Sequence, residues 1–166
     1  MPLPTWDVFI GLAFVIGIAY GFILRREKTI TTLCSTYIGI VIATNFSSYL
    51  YELFNGNKFI ANQIWIKSNA SFSTVSIVTL LVSSFLIAGA INSTKSKAGD
   101  ISPIEVLIYS ALNIALLTAM VIGFLPDATR AGVMEGSKLA SFIYSWRTAW
   151  VIIPPFALIL LNFRRK

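Results

Sequence analysis

The chain has 166 residues, of which 56% are hydrophobic and 12% charged, and its mean hydropathy is +0.77. That is too apolar for a domain whose whole surface meets water, so a soluble globular class is excluded. A net charge of +6 invites a nucleic-acid reading. The thirteen Lys and Arg residues, however, sit at the ends of apolar runs and in short connections rather than on one basic helix, so the expected partner is a lipid bilayer and not nucleic acid.

Five apolar runs, 6–24, 29–54, 70–92, 103–125 and 142–161, each approach the ~20 residues a helix needs to cross ~30 Å of hydrocarbon. They predict an all-α, polytopic transmembrane bundle that forms a single integral-membrane domain over 1–166. The first run cannot be read as a cleaved leader, because Met1–Asp7 carries no basic side chain and the cluster Arg25, Arg26 and Lys28 follows the run instead of preceding it. It is expected to stay as a span, with its N-terminus outside. Along it Ala13, Gly17 and Gly21 recur every four residues, and small residues at that spacing let helix backbones approach closely in lipid. Phe14 falls beside that stripe, on a face expected to meet lipid.

In the second run the same spacing picks out Ser35, Gly39, Ala43 and Ser47. Asn45 is its one amide, Glu52 closes its far end, and Cys34 is the chain's only cysteine, which excludes an internal disulfide and reads as a packing residue. The connection 55–69 interleaves Phe59, Ile60, Ile64, Trp65 and Ile66 with polar residues and suits a short helix lying on the interface. The fourth run carries Ala111, Ala115, Ala119 and Gly123 on one stripe, with Asn113 inside it. The segment 127–141 reads as an amphipathic arm whose first residue, Asp127, is placed to cap it after Pro126.

The last run holds two exceptions to its apolar character. Arg147 lies about five residues inside it, where a cation calls for a partner, and Glu52 and Asp7 are the carboxylates at the same boundary; a snorkelling anchor is the alternative. Pro154 and Pro155 remove two N–H groups and free the carbonyls of Trp150 and Val151, which predicts a kink or break there. With the N-terminus outside, Arg25, Arg26, Lys28, Lys95, Lys97 and Arg164–Lys166 fall on the cytoplasmic side. Lys58, Lys67, Arg130, Lys138 and Arg147 fall outside, as do Trp6, Trp65, Trp146 and Trp150 near that boundary. The C-terminus is then cytoplasmic.

Catalytic chemistry finds little material. The chain has no histidine, its seven acidic residues are scattered, and no Gly-rich phosphate loop is present, so no catalytic, cofactor or metal site is expected and the protein reads as a non-enzyme.

The run from Gly21-Phe22-Ile23 into Arg25-Arg26-Glu27, the stretch Ile42-Ala43-Thr44-Asn45-Phe46-Ser47-Ser48-Tyr49-Leu50, the exit Ile87-Ala88-Gly89-Ala90-Ile91-Asn92 and the start Glu105-Val106-Leu107 together resemble the colicin V production (CvpA) family. The likeness runs through all the spans and weakens after Glu105. There the glycines and arginine of the family give way to Ile108-Tyr109-Ser110-Ala111-Leu112-Asn113-Ile114-Ala115. The resemblance implies a multi-pass protein of the bacterial cytoplasmic (inner) membrane connected with toxin production or export and with envelope homeostasis, and it carries over no active site. The small-residue stripes are expected to pack helices within one subunit, with a membrane-protein partner or a homo-oligomer as the alternative. The alternative function is a small channel or transporter subunit, for which Asn45, Asn113, Pro154 and Pro155 would line a polar path.

Overall fold

The computed structural model describes residues 5–54, 70–91 and 103–163. The expected interfacial helix over 55–69, with Lys58, Trp65 and Lys67, and the cations Lys95, Lys97 and Arg164–Lys166 lie outside the described residues. Six helices are present among those described: α1 Trp6–Phe54, α2 Phe72–Ala90, α3 Pro103–Phe124, α4 Asp127–Gly136, α5 Lys138–Ser145 and α6 Arg147–Phe163.

A straight helix of the 49 residues in α1 would be roughly 70 Å long, more than twice the hydrocarbon thickness. It is not straight. The Thr29 hydroxyl donates to the Gly21 carbonyl at 3.2 Å, although eight residues along a helix axis span about 12 Å. α1 therefore folds back at Arg25 and Arg26 into two arms, Trp6–Leu24 and Arg26–Phe54, each long and apolar enough to cross a membrane. The contacts with α3 give their directions. Ile10 clusters with Ala119 and Ile122, Gly17 faces Ile114, and Gly21 faces Ser110, so the first arm runs antiparallel to α3. Arg26 meets Glu105 and Leu33 packs on Tyr109 and Leu116, so the second runs parallel to it. The turn falls at the basic cluster because those charges cannot lie in hydrocarbon.

α3 is the centre of the bundle. Val106, Tyr109, Leu112, Ala115, Leu116, Ala119 and Ile122 are all buried, covered by both arms of α1 and by α5 and α6. α2 packs mainly on the second arm, where Ser35, Gly39, Ala43 and Ser47 are buried and Val75, Ser76, Leu80 and Ser84 are the buried residues of α2. Three hydroxyls in this seam are satisfied within their own helices, Ser35 donating to the Thr31 carbonyl at 2.8 Å, Ser47 to Ala43 at 2.5 Å and Ser76 to Phe72 at 2.9 Å, whereas the Ser84 hydroxyl against Gly39 is buried without a partner among the described residues. Such back-bonding lets a small polar residue sit at a close helix crossing without an unpaired proton. The large side chains of Phe9, Val15, Ile23, Phe85 and Leu160 point outward and are more than half exposed, as lipid-facing positions are.

The last membrane unit is bent, but not where the prolines predict. α5 and α6 meet at 66° at Trp146, eight residues before Pro154, and Pro154 and Pro155 lie inside α6. The physical reason is in the hydrogen bonds. The Ile143 carbonyl, whose helical partner would be the Arg147 N–H, accepts from the Trp150 indole at 3.1 Å, so the break at Trp146 is closed by a side chain. The Val151 carbonyl, freed by Pro155, accepts from the Tyr37 hydroxyl of α1 at 2.7 Å. A proline whose orphaned acceptor is filled need not end a helix. Tyr37→Phe should accordingly cost about 1 kcal/mol of stability in detergent, and in a Pro155→Ala background, where a backbone N–H becomes available, it should cost measurably less. Equal losses in the two backgrounds would show that the tyrosine does not serve the proline.

Candidate functional site

Polar side chains collect at the two ends of the bundle. At the end formed by the turn of α1 and the start of α3, Arg26 and Glu105 form an ion pair with side chains only 16% and 14% exposed. Glu105 lies in the first turn of α3, where the helix dipole favours an anion. Just inside, Thr29 and Ser110 are buried beside Gly21, and a Cβ on Gly21 would come within 2.8 Å of the Ser110 Cβ, so only glycine fits there. The Ser110 hydroxyl and the Asn113 Oδ1 are buried without a hydrogen-bond partner among the described residues.

The opposite end is built by α4 and α5. Asp7 accepts from the Ser137 hydroxyl at 2.5 Å and from the Leu139 N–H at 3.0 Å, while Ser137 in turn accepts from the Ala140 N–H at 2.9 Å. The start of α1 thus caps the start of α5 with a serine and a carboxylate together. Asp127 is the first helical residue of α4 rather than its cap; Pro126 holds the cap position, and Asp127 pairs with Arg130. Pro126 can precede a helix but offers no side-chain acceptor, so the carboxylate turns to the cation one turn on.

Among the described residues Arg147 makes its hydrogen bond and its ring contact with Tyr144 rather than with the expected carboxylate. Its guanidinium donates to the Tyr144 hydroxyl at 2.7 Å and lies 5.0 Å from the centre of that ring, while Arg130 lies 5.3 Å from the same centre. The break at Trp146 puts Tyr144 within local reach of Arg147, and Asp7 is engaged by α5, while Glu52 stands near the end of the second arm of α1. Trp6, Trp146 and Trp150 all lie at this end, with the Trp6 ring against Gly136.

The stripes and the polar candidates are distributed as follows. Ala115 and Ala119 are buried, Ala13, Ala111 and Gly123 half-buried, and Gly123 faces the Tyr144 ring. Phe14, expected to meet lipid, packs instead against the cluster of Ile10, Ala119 and Ile143. Asn113 points into the bundle, whereas Asn45 is exposed on the second arm, donating to the Val41 carbonyl at 2.7 Å; Pro154 is buried and Pro155 exposed. Asn45 and Pro155 thus face out of the bundle, and Asn113 and Pro154 into it. Between the second arm and α2 a groove of about 500 Å³ is lined by Ile42, Phe46, Phe54, Val78, Val82 and Leu86, a surface whose chemistry matches an acyl chain and not a polar solute. Among the described residues no group of three His, Cys, Asp or Glu side chains is placed to hold a metal.

Sequence reasoning missed three contacts: Arg26 with Glu105, Tyr37 with the Val151 carbonyl, and Asp7 with α5. Each had a signal. Arg26 and Glu105 fall at the same end in an alternating topology, Tyr37 is a mid-span donor in a chain with a mid-span proline, and Ser137 precedes an apolar run as a cap does. Comparison with family models, with curated proteins and with solved structures finds no match for this chain.

Proposed function

We propose that this chain is a non-enzymatic, multi-pass protein of the bacterial cytoplasmic membrane, of the colicin V production type, that supports toxin export or envelope homeostasis through its partner-facing and lipid-facing surfaces. The observation that carries this reading over transport is the divergence of the polar candidates: Asn45 faces out of the bundle and Asn113 into it. Two of its interior polar contacts, the Arg26–Glu105 pair and the Tyr37 bond to Val151, hold helices together. An outside N-terminus is supported by Trp6, Trp146 and Trp150 at one end of the bundle and by Arg25, Arg26 and Lys28 at the other.

The test has two arms. In a toxin-exporting bacterial host lacking its own protein of this type, this chain should restore secreted toxin activity, and purified protein in liposomes should pass no more ions or small solutes than protein-free liposomes. Solute flux well above background would favour the channel or transporter reading, and failure to restore secretion despite membrane expression would remove the export role.

A further inference from the structure

We propose that the lipid-facing side of the second arm of α1 is a seam for a second copy of this chain, closed by a reciprocal Asn45–Asn45 hydrogen bond across a two-fold axis. Three faces of this arm can be told apart. Gly39 is buried against α2, with Ala43 buried one turn on, and Leu33 and Tyr37 are turned toward α3 and α6. The remaining face carries Cys34, Ile38, Val41, Asn45 and Ser48, all exposed, with Ile38 at 45% and Val41 at 61%. Their spacing of four, three, four and three is the alternation of a left-handed helix pair, and it places Asn45 at a position where a lone amide fixes register and partner number.

Depth makes the amide decisive. The arm Arg26–Phe54 is centred near residue 40, so Asn45 lies roughly 8 Å from the middle along the axis, inside the ~15 Å half-thickness of the hydrocarbon. Its Nδ2 donates to the Val41 carbonyl at 2.7 Å and to the Thr44 hydroxyl at 3.3 Å, and its Oδ1 has no donor among the described residues. An amide oxygen facing lipid tails without a donor is costly, and a second amide cures it. Two copies inserted in the same direction are related by a two-fold axis along the membrane normal, which brings identical faces together in parallel. Each Asn45 can then give up its long 3.3 Å bond to Thr44 and offer that Nδ2–H to the other's Oδ1. This self-complementarity selects a second copy over an unrelated helix or a lipid tail.

Cys34 supplies the probe, since it is the chain's only cysteine and lies on the same seam. Oxidation of native membranes with copper phenanthroline should give a disulfide-linked dimer of the unaltered protein, and a Cys34→Ser, Ser48→Cys variant should do the same. A Cys34→Ser, Val15→Cys variant, with the cysteine on the exposed face of the first arm, should not. Asn45→Leu should lower the dimer yield at Cys34 about three- to tenfold at limiting expression, while Thr44→Ala, which frees an Nδ2–H of Asn45, should not lower it. Absence of the dimer at both Cys34 and Ser48→Cys, linkage to a different protein in its place, equal linkage at Val15→Cys, or a yield indifferent to Asn45→Leu would each overturn the proposal.

Discussion

Glu105→Gln is expected to destabilise the protein by about 3 kcal/mol, because it leaves the Arg26 guanidinium without its carboxylate in a site where that side chain is only 16% exposed. Arg26→Gln should cost somewhat less. The carboxylate it strands still sits in the first turn of α3, where the helix N-terminus attracts negative charge, whereas the stranded arginine has no such compensation. The double substitution should cost less than the sum of the singles by about 1–3 kcal/mol, since neither charge is then left alone. Unfolding in mixed detergent micelles, followed by loss of helicity, measures all three. Additive losses would mean that the two side chains stabilise the turn independently.

Gly39→Leu should have an effect of similar size by a different route. A Cβ at Gly39 would overlap the Ser84 hydroxyl and lie 3.2 Å from the Leu80 carbonyl oxygen. The hydroxyl can rotate away, but the backbone of α2 cannot yield without moving the helix. Gly39→Ala is therefore expected to cost about 1–2 kcal/mol, and Gly39→Leu, which adds three more carbons at the same crossing, more than about 3 kcal/mol. Val15→Leu, on a side chain 66% exposed, should change stability by less than about 0.5 kcal/mol. If Gly39→Leu were as mild as Val15→Leu, the crossing of α1 and α2 would not be a close contact.

How much of this was legible beforehand depended on the range of the interaction. Span lengths follow from apolar runs and local charge, so Trp6–Leu24, Phe72–Ala90 and Pro103–Phe124 lie within a few residues of the runs read from composition, and Arg25–Lys28 marks the turn of α1. That the helical backbone continues through the turn was not legible. It depends on the fit of Thr29 and Ser110 against Gly21, a contact between segments far apart in sequence. The bend of the last unit was misplaced for the same reason: a proline reports what its own helix loses, but not that Tyr37 on another helix restores it. Charge alone suggests a carboxylate for Arg147, yet the break at Trp146 offers it Tyr144. The position of Phe14 beside the small-residue stripe gives its neighbours on one helix but not the position of the next helix, on which it packs. The amphipathic arm after Pro126 was foreseen as one piece and divides at Ser137, because that serine caps a second helix.

The reversal of α1 underlies the rest, since the placement of Gly17, Gly21, Arg26 and Leu33 along α3 requires it. Single cysteines introduced as Thr5→Cys, Lys28→Cys and Ser71→Cys in a Cys34→Ser background, labelled with a membrane-impermeant maleimide in intact cells and in inverted vesicles, test it directly. Positions 5 and 71 should label from the same side of the membrane and position 28 from the other; labelling of positions 5 and 71 from opposite sides would make α1 a single span and contradict the account.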